Sequence, residues 1–203
     1  MIRWSFRERA VLALLLALHL APVGGSAAWE LPDQRVDLQQ PQCQRKTHDI
    51  GNVWLTISNF GLIGSEFDTT YPSCRYPAGS DREYLFWGGF WIGAIVGVDT
   101  LVSTAVGGWG GVEFLPGSEP GDTIVEQQIV SDQDYVATST DTVTAYTPPG
   151  HIPLGVELLQ RSYAWACSTY DDFVVFDCRL TNVEEDSLED TYVGIFMDAD
   201  CGC

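Results

Sequence analysis

The sequence predicts an all-β protein built as an antiparallel β-sandwich. Three observations carry that expectation. From residue 52 onward the chain is a series of short β-branched and aromatic runs, separated by Gly, Pro, Asp and Ser. Phe173–Asn182 alternates cleanly: Val174, Phe176, Cys178 and Leu180 share one face, and Asp177, Arg179 and Thr181 take the other with Phe173 and Val175. No stretch after residue 28 keeps a helical apolar period long enough for a substantial helix.

Residues 1–28 read as a secretory signal peptide. Arg3, Arg7 and Arg9 form a positive start, the uncharged run Ala10–Leu20 follows, and a Pro/Gly break leads to Ser26-Ala27-Ala28, a small-x-small cleavage site. The apolar run is shorter than the roughly 20 residues needed to span a bilayer. The expected location is secreted or extracellular cell surface, with the periplasm as the other compartment on this route. Residues 29–50 are polar and Gln-rich and read as an extended lead-in without strand or helix period.

Residues 51–150 read as a β-rich region. Val53–Ser58 is a first strand and Tyr84–Trp91 a dense aromatic run. Gly93–Val98 and Leu101–Val106 form a hairpin turning at Val98-Asp99-Thr100. Val112–Leu115, Thr123–Val130, Tyr135–Ser139 and Thr142–Tyr146 follow as short strands. In residues 151–203, Val156–Trp165, Phe173–Asn182 and Thr191–Met197 read as a three-stranded antiparallel meander, with a turn at Tyr170-Asp171-Asp172 and an acidic loop at Val183–Asp190. The chain leaves its last strand at Asp198–Cys203, so the sandwich is expected to be incomplete there and to continue in a longer protein.

Composition narrows the function. The 203 residues carry 28 Asp and Glu against 10 Lys and Arg, a net charge of −18. Without residues 1–28, which hold three basic residues and one acid, the balance is 7 against 27, a net of −20. That charge opposes nucleic acid and anionic membrane surfaces, both of which need cationic contacts. Aromatics at 12% and an apolar fraction of 45% supply a packed core, which argues against disorder. All six cysteines follow the cleavage site, an even number in an exported chain, which favours disulfides over catalytic thiols. Cys43 and Cys74, in turn-rich stretches flanking the first strand, are the preferred pair.

Resemblance enters on two passages, Asn52–Ala105 (NVWLTISNFGLIGS…YLFWGGFWIGAIVGVDTLVSTA) and Gly155–Gly202 (GVELLQRSYAWACSTYDDFVVFDCRLTN…TYVGIFMDADCG). Together, over about half of the chain, they resemble the N-terminal region of large, mostly uncharacterised secreted proteins of Gram-negative bacteria. Many of those continue into fibronectin-like β modules and a C-terminal sorting domain, which these 203 residues do not include. The resemblance implies a β-sandwich and a surface location, and it brings no catalytic residues.

Two constellations carry candidate chemistry. Pairing Phe173–Asn182 with Thr191–Met197 as a hairpin would bring Asp171 and Asp172 to the end where Asp198 and Asp200 leave. Four crowded carboxylates favour a hard cation, and calcium is the expected ion. Trp87, Trp91 and Trp109 are candidates for an aromatic, sugar-stacking platform. Against that, the Tyr84–Trp91 run is apolar on both faces, which reads as a buried central strand. Catalysis has no motif: His48 and His151 are the only histidines after residue 28, and Glu113 and Glu157 are two carboxylates among many. The expectation is therefore a non-catalytic, structural or adhesive cell-surface protein, calcium-stabilised, with a surface glycan or protein as partner. The alternatives are a carbohydrate-binding module and an accessory region of a secreted hydrolase.

Overall fold

The computed structural model describes residues 42–65, 68–105, 112–117, 123–144 and 147–200; residues 1–28, which read as a signal peptide, and Trp109, Cys201 and Cys203 lie outside them. The described residues form two antiparallel sheets packed face to face, the all-β class that the sequence predicts. Eleven strands are formed among them: β1 (Arg45–His48), β2 (Trp54–Ser58), β3 (Leu62–Ile63), β4 (Cys74–Arg75), β5 (Leu85–Val96), β6 (Asp99–Thr104), β7 (Val125–Gln127), β8 (Gln133–Thr140), β9 (Val156–Ala164), β10 (Val175–Asn182) and β11 (Leu188–Ala199).

The larger sheet runs β1-β2-β3-β5-β11, with β4 beside β2 and β6 beside β5; the smaller runs β10-β9-β8-β7. Alternation places one face of each strand in the core. Phe90, Ile92 and Ala94 of β5 meet Val156 and Leu158 of β9 and the half-buried Cys178 and Leu180 of β10. Ile57 of β2 meets Tyr135 and Ala137 of β8, and Leu55, Ile63 and Leu85 pack against Val174 and Phe176. The inward face of β10 is the one its alternation predicts.

Several expectations are corrected. The meander ends after two strands: β9 and β10 pair, but β11 crosses to the larger sheet and pairs with β5, from Leu188 opposite Val96 to Ala199 opposite Leu85. Tyr84–Trp91 and Gly93–Val98 belong to one long strand, β5, and the turn into β6 is Gly97-Val98, with φ of +63° at Gly97, a conformation glycine adopts without steric cost. Val112–Leu115 supplies one bridge, Leu115 to Thr140, rather than a strand, and no strand forms in the described part of Thr142–Tyr146. Within the lead-in, Arg45–His48 is an edge strand on β2. Its polar composition hides the period that would reveal it.

No disulfide joins Cys43 to Cys74, nor any two of the described cysteines. β1 and β4 lie on opposite edges of β2; Cys74 is level with Leu55, whereas Cys43 lies beyond the level of Ser58. Two strand spacings across and at least three residues along separate them by roughly 10 Å in each direction. A disulfide requires Cα atoms within about 7 Å.

Polar pins cross the core. His48, fully buried, places Nδ1 3.2 Å from Gln133 Oε1 and Nε2 2.7 Å from Ser162 Oγ. The amide oxygen can only accept, so Nδ1 carries the proton and Nε2 accepts from the hydroxyl. Gln133 Nε2 donates to Asp49 Oδ1 at 3.1 Å, which fixes that amide orientation. Ser103 Oγ of β6 donates to Asp141 Oδ2 at 2.6 Å, and Asp141 also accepts from the amides of Leu154 and Val156.

Burial, only partly offset by Gln133, Asp134 and Asp49, pulls the His48 imidazole down from 6.5 to about 4. Unfolded His48 takes up a proton near pH 6.5 and the folded residue only near 4, so the contribution is complete above pH 6.5. It is lost as the pH falls to 4, by about 3 kcal/mol in all. Urea unfolding midpoints should drop across that window, and His48→Gln should flatten the dependence. Gln160 lies fully inside β9 with neither amide atom hydrogen-bonded. Replacing such a group by an apolar one of similar shape removes a desolvation cost of about 1–3 kcal/mol. Gln160→Met is therefore expected to raise the melting temperature, read by circular dichroism.

Candidate functional site

The outer face of the larger sheet carries an aromatic surface. Even-numbered residues of β5 from Gly88 to Ala94 point inward, which sends Trp87, Gly89, Trp91, Gly93 and Ile95 outward. The β5–β11 register sets each of three glycines opposite a ring: Gly89 faces Phe196, Gly194 faces Trp91, and Gly93 faces Tyr192. A glycine leaves room for the opposed ring to lean over the backbone, a cross-strand pairing that stabilises sheets. The Trp91 and Phe196 rings stack with centroids 5.6 Å apart and planes 13° from parallel. On the far side of β5, Val102 of β6 lies opposite Gly93 and Thr104 opposite Trp91. The surface is open: Trp91 is 44% and Tyr192 75% exposed.

The candidate tryptophans thus divide. Trp91 is on the outer face rather than in the core, correcting the reading of its run as buried on both sides. Trp87 is half-buried and meets Phe86 edge-on at 5.4 Å. Trp109 falls outside the described residues. Tyr192 and Phe196 are absent from the sequence-level candidates. Their signal lies in complementary spacing, Gly-x-Trp-x-Gly at 89–93 against Tyr-x-Gly-x-Phe at 192–196, which the antiparallel register brings face to face.

The candidate calcium aspartates are placed differently from expectation. The β10–β11 hairpin that would collect them does not form, because β11 lies in the other sheet. Asp171 O accepts from Asn52 N at 2.7 Å and Val53 N at 3.2 Å, and Asp172 Oδ1 accepts from Asn52 Nδ2 at 2.8 Å. Both thereby tie the β9–β10 connection to the entry of β2. Asp198 stands opposite Trp87, and Asp200 donates its amide to Tyr84 O at 3.0 Å. Among the described residues, no group of three or more His, Cys, Asp or Glu side chains is arranged to hold a metal ion. The connection also carries Trp165, Tyr170 and Phe173, three rings with centroids 5.9–6.2 Å apart.

Two imidazole pairs have the contacts of catalytic groups without their access. His48 and Ser162 are hydrogen-bonded but sealed between the sheets. His151 Nδ1 lies 3.3 Å from Glu113 Oε1, while Nε2 is buried without a hydrogen-bond partner. A general base must reach a substrate proton, and neither imidazole faces solvent. The Glu113 carboxylate is further engaged by Thr104, whose amide donates to Oε2 at 2.7 Å. Burial pushes the Cys178 thiol up to about 11, and burial with the Glu83 charge also raises Cys74, the reverse of what activates a nucleophilic thiol.

Comparisons with protein-family models, curated proteins and solved structures gave no match. Among the described residues no helix is long and apolar enough to cross a membrane.

The seat of the β9–β10 connection is testable through Gly51. A Cβ there would lie 2.8 Å from Asp171 O and 2.9 Å from Trp165 O, both backbone atoms. Gly51→Ala is expected to cost about 1–3 kcal/mol by overpacking, read as a lower urea midpoint.

Proposed function

We propose that the protein is an exported, non-catalytic β-sandwich with an adhesive role at the cell surface, and that the outer face of β5 and β11 is its contact surface. The observation that carries this reading is the exposed aromatic surface of Trp91, Tyr192 and Phe196, laid across three opposed glycines. Large rings contribute most to stability when buried, and these three remain accessible. Aromatic residues are enriched in the buried centres of recognition surfaces, where they supply contact area at low conformational cost. Export is supported by the charged start at Arg3, Arg7 and Arg9, the apolar run and the small-residue site at Ser26–Ala28. The resemblance of Asn52–Ala105 and Gly155–Gly202 to secreted surface proteins supports the same location.

A second reading, carbohydrate binding, is favoured by the near-parallel Trp91 and Phe196 rings, since sugar rings stack on flat aromatic surfaces. Retention of the purified protein on collagen-coated beads and on chitin or cellulose particles separates the two. Adhesion predicts retention on the protein surface, and carbohydrate binding predicts retention on a polysaccharide with release by its soluble oligosaccharide. In either case Trp91→Ala with Tyr192→Ala is expected to reduce retention at least about tenfold, a loss typical of hot-spot truncation, with little change in melting temperature. Unchanged retention of the double variant would remove this face as the contact surface.

A further inference from the structure

The far edge of β11 is an open strand edge of a kind that folded proteins usually protect. Among the described residues β11 ends the larger sheet, and β5 is its one neighbour. Shifts of register between Glu189 and Tyr192 and between Asp198 and Ala199 bracket a regular stretch, Tyr192–Asp198. Along it, the backbone groups directed away from β5 face no strand among the described residues. Edges are ordinarily blunted by proline, lysine, an inward-pointing charge or a bulge within the strand. Tyr192–Met197 contains none of the first three, and the register shifts lie outside it.

The inward face of β11 is equally uncovered. Val193 and Ile195 are opposite Ile92 and Phe90, two residues of the core, and Met197 is opposite Gly88. Core residues beside them are at most 5% exposed, yet Val193 is 53% and Ile195 59% exposed. In β11 only Leu188 is even half-buried. The smaller sheet ends at β10, and its cover of the core stops short of β11.

Charge selects the occupant. Glu189 and Asp190 stand at one end of the regular stretch, and Asp198 and Asp200 at the other. A second copy is disfavoured in either orientation. An antiparallel pairing sets one acidic end against the other, and a parallel pairing sets each against itself. Like charges facing across strands destabilise the pair, and each copy carries a net charge of −18.

We propose that β11 accepts an added strand from another protein: an extended segment of about seven residues, apolar at alternate positions, with Lys or Arg at both ends. Main-chain hydrogen bonds to the edge give the affinity, apolar side chains on its inward side cover Val193, Ile195 and Met197, and its cationic ends meet the two acidic ends of β11. This site is independent of the aromatic face, whose rings lie on the opposite side of the sheet.

The test is fluorescence anisotropy of the purified protein with a labelled synthetic nonapeptide, Lys-Val-Thr-Val-Thr-Val-Thr-Val-Lys. A version with Glu at both ends and a version N-methylated on the amides that would face β11 serve as controls. The lysine-ended peptide is expected to bind, with about tenfold or greater loss in the glutamate-ended version and loss of binding on N-methylation. Ile195→Lys, an exposed change, should weaken binding about tenfold while leaving the melting temperature in place, and Trp91→Ala should leave binding unchanged. No binding, equal binding of the two end-charged peptides, or indifference to N-methylation would overturn the proposal. Sedimentation showing that the protein alone forms a dimer through β11, disrupted by Ile195→Lys, would overturn it in favour of a second copy. Hydrogen-exchange protection of the outward amides of Tyr192–Asp198 in the unbound, monomeric full-length protein would overturn it in favour of a segment of the same chain.

Discussion

The ladder between β5 and β11 is the interaction on which the rest of the molecule depends. β5 is the longest strand besides β11, and it pairs with β3 and β6 on one side and with β11 along its length on the other. Its inward residues Phe90, Ile92 and Ala94 seed the core, so any slip of register would reverse them with Trp91. Glycine makes the ladder close. A Cβ at Gly88 would stand 2.9 Å from Phe196 O, in addition to striking the Met197 side chain, so the approach of β11 at that point requires the missing side chain. One ladder thereby carries the chain from the smaller sheet back to the larger, creates the aromatic outer face, and leaves a strand edge open among the described residues.

Packing alone does not set how the two sheets meet. His48 reaches from β1 to Gln133 and Ser162 of the opposite sheet, Tyr135 Oη donates to Thr47 O at 3.0 Å, and Ser103 of β6 donates to Asp141 after β8. Apolar contacts tolerate sliding, whereas a buried hydrogen-bonded group left without its partner costs about 1–3 kcal/mol. These pins lie on both sides of the core, near β1 and near β6, and so select one arrangement of the sheets. Burial keeps His48 neutral and raises the Tyr135 phenol, which suits groups that serve as uncharged hydrogen-bonding partners.

How far this was legible in the sequence follows from what period-two alternation encodes. Phe176, Cys178 and Leu180 announce both β10 and its inward face, because a half-buried strand must alternate. Alternation names no partner, so Thr191–Met197 reads as a strand while its crossing to β5 stays hidden, and with it the fate of Asp198 and Asp200. β1 is obscured for another reason. Its buried member is His48, a polar residue whose interior position depends on Gln133 and Ser162, 85 and 114 residues away. The cysteine pairing fails on geometry that spacing does not contain: Cys43 and Cys74 flank β2 in sequence and also in the sheet, but on opposite edges. Trp91 is a candidate on sequence alone, whereas Tyr192 and Phe196 acquire meaning only once Gly93 and Gly89 are known to face them.

The excess of acid has a structural use that charge counting misses. With 10 Lys and Arg in the whole chain, most carboxylates have no cation to pair with, and several instead accept backbone amides in irregular segments. Glu83 takes the amides of Ser73 and Cys74, Asp132 that of Ala166, Asp141 those of Leu154 and Val156, and Asp134 those of Ile129, Val130 and Ser131. At Asp134 burial opposes ionisation, but these amides and the Ser131 hydroxyl outweigh it and hold the carboxyl below its ordinary range. Short strands joined by long connections leave many amides without a ladder, and each acid that satisfies one removes a cost. Asp172 is engaged in the same single way, by the side-chain amide of Asn52, whereas Asp171 fastens the connection to β2 through its backbone carbonyl. The side chains of Glu189, Asp190 and Asp198 are among those that receive no such amide among the described residues, and they leave unengaged negative charge at the two ends of β11.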